Sequence, residues 1–136
     1  MSHKLFDNVK ATQSLDPDVR TDDANGETVV DTLGYRDGML VAVAGDVTDT
    51  TGDTYTIKVY ESDSSTTGFT DTGISVVYTG GQAEDNSTKV ARIAELNVVR
   101  KRFLRADLEC TATTTSFEGG ALILLSEATK GAVNSD

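Results

Sequence analysis

The chain has 136 residues, a net charge of −10, one histidine (His3), one cysteine (Cys110) and one proline (Pro17). That length suits one domain with its own core, a single cysteine excludes an intrachain disulfide, and no run approaches the roughly 18 apolar residues of a membrane span. The start, Met-Ser-His-Lys-Leu-Phe-Asp, lacks the apolar stretch of a secretory leader, so synthesis and folding in the cytoplasm are expected.

Residues 1–26 read as an extended N-terminal arm. Leu5, Phe6, Val9, Leu15 and Val19 are too sparse to make a core, and Asp22-Asp23-Ala24-Asn25-Gly26 closes the segment with turn chemistry. Thr28 to Leu33 is a short β-branched strand ending at Gly34-Tyr35-Arg36-Asp37-Gly38. Met39 to Ala44 is continuously apolar, which predicts a central strand buried on both faces. Thr54 to Glu61 alternates, with Tyr55, Ile57 and Val59 on one side and Thr56, Lys58 and Tyr60 on the other, the pattern of a half-buried strand.

Between these two strands, the Asp46 to Asp53 loop carries three carboxylates, but their spacing does not match an EF-hand and no glutamate follows to close the shell. A solvated hairpin loop is the simpler reading, and no metal site is expected. After a second polar loop, Phe69 anchors the chain and Ile74 to Tyr78 forms another strand. Lys89 to Val99 fits either a helical face or strands, and strand is favoured because Asn97-Val98-Val99 runs into the most regular strand of the chain. There Leu104, Ala106, Leu108 and Cys110 share one face, which makes Cys110 a small core residue. Thr111 to Ser116 reads as an exposed edge or loop, Gly119 to Leu125 as a final apolar strand, and residues 127–136 as a tail.

Seven or eight short strands without helical crossovers predict an all-β fold, a single antiparallel β-sandwich or jelly roll over residues 27–126. The charge is unevenly spread. Between Ala11 and Ala91 fifteen acids stand against Arg20, Arg36, Lys58 and Lys89, whereas Arg92, Arg100, Lys101, Arg102 and Arg105 stand against Glu95 alone. An acidic body repels phosphates and the basic band has only Phe103 to stack on a base, so nucleic acid is not an expected partner. Catalysis is not expected either: the acids fall in polar loops or on solvent faces, and the one histidine lies near the start of the chain. No cofactor motif occurs.

Two segments carry a resemblance. Val30-Asp31-Thr32-Leu33-Gly34-Tyr35-Arg36-Asp37-Gly38, with the apolar strand after it and Tyr55-Thr56-Ile57-Lys58-Val59-Tyr60-Glu61-Ser62-Asp63, is the first. Lys101-Arg102-Phe103-Leu104-Arg105-Ala106, followed by a Thr-rich stretch and a last apolar strand, is the second. Together they resemble the head decoration, or cement, proteins of tailed phages. The resemblance implies a virion protein on the outer surface of the capsid, a homotrimer bound to the major capsid protein, with neither catalysis nor membrane contact. It makes Leu5, Phe6 and Val9 anchors of the arm, and Arg100, Lys101 and Arg102 a polar contact with the shell or a sister subunit. A tail-tube or head-completion protein would share the β-rich build but should form rings and carry a helix. A carbohydrate-binding module would need Tyr60, Tyr78 or the Asp46 to Asp53 loop as its platform.

Overall fold

The computed structural model describes residues 8–47, 53–80, 84–111 and 117–126. Eight strands make up its elements: β1 (Val9–Arg20), β2 (Val30–Asp31), β3 (Asp37–Val47), β4 (Thr54–Ser62), β5 (Thr70–Thr79), β6 (Thr88–Ile93), β7 (Phe103–Cys110) and β8 (Phe117–Ser126). They form two antiparallel four-stranded sheets, a front sheet ordered β1-β8-β3-β6 and a back sheet ordered β2-β7-β4-β5. The predicted sandwich is therefore present. The pairs β1·β8, β2·β7, β3·β6 and β4·β5 are nested, as in a long antiparallel ribbon wrapped on itself, and β3·β8 with β4·β7 are the seams that the wrapping creates. That is the wiring of a jelly roll. Among the described residues, no helix is long and apolar enough to cross a membrane.

Alternation places the core. Tyr55, Ile57 and Val59 of β4 and Leu104, Ala106 and Leu108 of β7 point inward from the back sheet, meeting Leu40, Ala42, Ile123 and Leu125 of the front sheet. At one end Phe117 stacks on Tyr55 with ring centroids 5.3 Å apart and also meets Tyr78 at 5.3 Å. The buried Tyr78 hydroxyl lies 3.0 Å from the Ala42 carbonyl and 3.1 Å from that of Ser87, so its polar end is satisfied where β5 passes β3.

Two expectations change. The stretch read as an arm is, from Val9 onward, the edge strand of the front sheet, paired with β8 from Val9↔Ser126 to Arg20↔Phe117. Register shifts at Gln13/Leu15 and Leu15/Asp18 bend it, so Ser14 and Leu15 are both fully buried although adjacent. The Ser14 hydroxyl donates to the Thr28 carbonyl (2.8 Å) and accepts the Ala106 N–H (2.9 Å), linking the two sheets. The crossing segment then runs beside β7. Ala24 and Leu108 exchange backbone hydrogen bonds, and a side chain at Gly26 would strike the Ala106 carbonyl. The second change concerns β3, which is central but buried on one face: Leu40 and Ala42 are fully buried, while Met39, Val41 and Val43 are half-buried on the outer face.

Candidate interaction surface

The end of the sandwich where β1 begins and β8 finishes gathers the most unusual local structure. Residues 94–102 connect β6 to β7 without regular structure beyond a tight turn, in which Glu95 (φ 59°) and Asn97 (φ 61°) are left-handed. Asparagine tolerates that region; a glutamate there is strained. The Glu95 carbonyl accepts N–H groups from Val98 (3.1 Å) and Val99 (3.0 Å), and Leu96 donates its N–H to the Arg36 carbonyl (3.0 Å). Leu96 is 1 % exposed and plugs the core, whereas Val98 is 82 % and Val99 56 % exposed. Burial of one apolar residue therefore holds two others out in solvent.

A second loop lies against the first. The Asn97 carboxamide donates to the carbonyls of Thr32 (2.7 Å) and Tyr35 (3.0 Å), straddling Leu33, itself 60 % exposed. Leu33, Val98 and Val99 thus stand out from two loops stitched together at one end.

The sequence-derived basic residues follow directly, but each meets a carboxylate of its own chain. Arg102 makes a bidentate pair with Asp31 (2.9 and 2.8 Å), Arg100 lies 3.6 Å from Glu61 and Lys101 4.0 Å from Asp63. Arg92 pairs with Asp37 at 3.3 Å. The Arg102 guanidinium holds the Asp31 carboxyl below the usual range, helped by the Leu33 N–H and, more weakly, by Lys10 at the start of β1. Arg100–Arg102 are accordingly the charged shoulder of an apolar tip whose charges are balanced pair by pair, not a free cationic patch. Val9 stands at this same end, paired with Ser126, while Leu5 and Phe6 lie outside the described residues. Leu33, Val98 and Val99 carry no chemistry in a sequence pattern; only their exposure marks them.

The opposite end is acidic. Asp18 and Glu118 sit where β1 leaves β8, with Asp46 at the end of β3, and Asp53, Glu84 and Asp85 in the loops beside them. Of the nearby cations, Arg20 is held by Glu27 and Lys89 by Glu84. Among the described residues, no three His, Cys, Asp or Glu side chains are grouped to hold a metal. The Cys110 thiol is pushed up to about 11 by burial, with Asp23 and Asp22 adding to the rise, which is the reverse of an activated nucleophile. Tyr78 is fully buried and offers no stacking face for a sugar, Tyr60 is half-buried on the outer face of the back sheet, and most of the Asp46 to Asp53 loop lies outside the described residues.

Neither a protein-family model nor a curated protein matches the chain. Among solved structures it is similar to a family two carbohydrate esterase from Cellvibrio japonicus, at 8 % identity and a TM-score of 0.32. The match covers 94 % of this chain and 36 % of that protein, so this chain spans about a third of its length.

Proposed function

We propose that this chain is a decoration protein of a tailed-phage head, seated on the outer surface of the major capsid protein through the Leu33, Val98 and Val99 end of the sandwich. The observation that carries the reading is the polarity of the molecule. One end is apolar at its tip with balanced charge around it, and the other is strongly acidic. A protein that coats a shell needs one face that dries on contact and another that stays hydrated and repels its neighbours' free surfaces. Rigid loops suit such a contact, since little ordering entropy remains to be lost on docking. Many copies on a repeating lattice would turn a small contact into a durable one. The sequence resemblance supplies the phage setting, and the polarity supplies the orientation.

Co-sedimentation with empty, expanded heads of the encoding phage tests the reading. The full chain should bind at a fixed ratio to capsid subunits, and a Val98→Asp/Val99→Asp variant should lose binding while keeping its fold. Removal of residues 1–7 measures the contribution of Leu5 and Phe6 without touching β1; a longer truncation would take away an edge strand and test only folding. Failure of the folded full chain to bind would sink the proposal.

A further inference from the structure

Packing in the crossing segment between β1 and β2 creates a chemical hazard. A Cβ at residue 26 would strike the Ala106 carbonyl and crowd that of Ser14 (2.9 Å), so only glycine fits there. Asn25 precedes it, and asparagine before glycine is the pair in which a backbone nitrogen most readily attacks a side chain, because no Cβ screens that nitrogen. Asn25 is exposed, and among the described residues nothing holds its carboxamide. The other described asparagines lack this arrangement: Asn8 and Asn97 precede valines and Asn86 precedes Ser87. Asp37-Gly38 has the glycine, but its carboxylate is paired with Arg92 and is a poor electrophile.

A buried carboxylate sits on the nitrogen in question. The Gly26 N–H donates to Asp107 Oδ1 at 2.9 Å, and Asp107, 5 % exposed, is held by Arg105 through two contacts of 2.7 and 2.8 Å. Attack on Asn25 requires the Gly26 nitrogen to give up its proton. That would forfeit a charge-assisted hydrogen bond and set an anionic nitrogen against a carboxylate away from water, and both effects raise the barrier. The backbone is clamped on either side as well, by the paired bonds of Ala24 with Leu108 (3.0 and 2.8 Å) and by the Thr28 N–H on the Ser14 carbonyl (3.0 Å).

We propose that Asn25-Gly26 is a latent deamidation site with Asp107 as its latch, intact while the Gly26 N–H rests on that carboxylate and converted when the crossing segment lifts from β7 by local opening. On release, hydroxide takes the Gly26 N–H proton and the nitrogen electron pair forms a bond to Asn25 Cγ. The Cγ–Nδ2 bond breaks, and Nδ2 leaves as ammonia after taking a proton from water, which regenerates hydroxide. Water then opens the cyclic imide at Cγ or at the main-chain carbonyl, leaving an aspartyl or an isoaspartyl residue at position 25. The isoaspartyl form lengthens the main chain between Ala24 and Gly26, so the contacts with Leu108 and Asp107 cannot both re-form, and either product adds a carboxylate beside Asp22 and Asp23. The change runs one way, and a chain that has opened stays marked. The inference is independent of the capsid reading.

Timed incubation of the full chain in mildly alkaline buffer, read by peptide mapping in a mass spectrometer, tests it. Conversion at position 25 should be at least about tenfold slower than in a synthetic peptide of residues 21–30, the scale of one hydrogen bond to a charged group. Asp107→Ala should recover most of that difference at position 25 and leave Asn86 and Asn97 unchanged. Arg105→Gln breaks the same ion pair but keeps the carboxylate on the Gly26 N–H, so it should not accelerate conversion; a merely structural role for the pair would make the two variants alike. Conversion of the wild type as fast as the peptide, no acceleration in Asp107→Ala, or equal acceleration in Arg105→Gln would overturn the proposal.

Discussion

The Asn97 side chain donates to the Thr32 carbonyl across 2.7 Å, joining residues 65 positions apart and fixing the β6–β7 turn against the β2–β3 loop. The same residue adopts a left-handed conformation, so one asparagine serves both the backbone and the stitch. Asn97→Gly should keep the turn but lose the two carbonyl contacts, while Asn97→Ala loses both. We expect destabilisation of about 1 kcal/mol for the first and about 2 kcal/mol for the second. Hydrogen exchange should rise at residues 95–100 in both variants, and equal costs would show that the backbone conformation contributes nothing.

Leu96 and Val98 are two residues apart and should behave oppositely. Leu96→Ala empties a fully buried site and should cost about 2–5 kcal/mol in urea unfolding. Val98→Asp, at a position 82 % exposed, should change stability by less than about 0.5 kcal/mol. A large loss at Val98 would mean that its side chain is part of the fold and not of a contact surface.

Ser14→Ala should cost more than its small size suggests. It leaves the Ala106 N–H and a Thr28 carbonyl lone pair without their partner inside the sandwich, a penalty of about 1–3 kcal/mol. Equilibrium denaturation reads it, and a Ser14→Thr variant separates lost hydrogen bonding from lost volume.

Acid should weaken the fold through identifiable pairs. Arg102 holds the Asp31 carboxyl below its usual range, and Lys89 does the same for Glu84. Both pKa values are depressed on folding, so their stabilisation is complete above the unfolded values of about 4 and is lost as pH falls through the folded ones. These groups are partly exposed, and each contribution should stay below about 1 kcal/mol. Stability measured from pH 7 to pH 3 should fall most steeply below about pH 4, and Arg102→Gln should flatten part of that fall. An unchanged profile in the variant would remove Asp31 from the account.

Legibility in the sequence followed regularity. The alternation of Thr54 to Glu61 and of Leu104 to Leu108 marks the inward faces of β4 and β7, because unbroken strands keep period two. Asp107, expected on a solvent face, is buried, since the crossing segment covers it with the Gly26 N–H and Arg105 pairs with it. In β1 the register shifts break that period, and an edge strand with Leu15 as its one deeply buried large side chain looks like an arm. Met39 to Ala44 was misread for a different reason. Its outward residues are apolar as well as its inward ones, and composition cannot distinguish a core from a half-buried apolar face. The basic band was visible, but not its neutralisation, since Asp31 and Arg102 are 71 residues apart and meet only when β2 pairs with β7. The exposed tip had no signal beyond ordinary valines.

The nested pairing also governs time. Val9 meets Ser126 in the front sheet, so the outermost ladder joins strands from the two extremes of the ribbon, and the seams β3·β8 and β4·β7 connect distant strands too. Closing such long loops costs entropy before any contact compensates it, which places folding in the millisecond-to-second range typical of β-sandwiches. Stopped-flow refolding should fall there, and pulse-labelled exchange should find the β4–β5 hairpin protected before β1. A slow-closing outer seam leaves the apolar edges of β8 and β3 uncovered for longest, so crowded synthesis, more than heat, is the condition under which this chain is most at risk of aggregation.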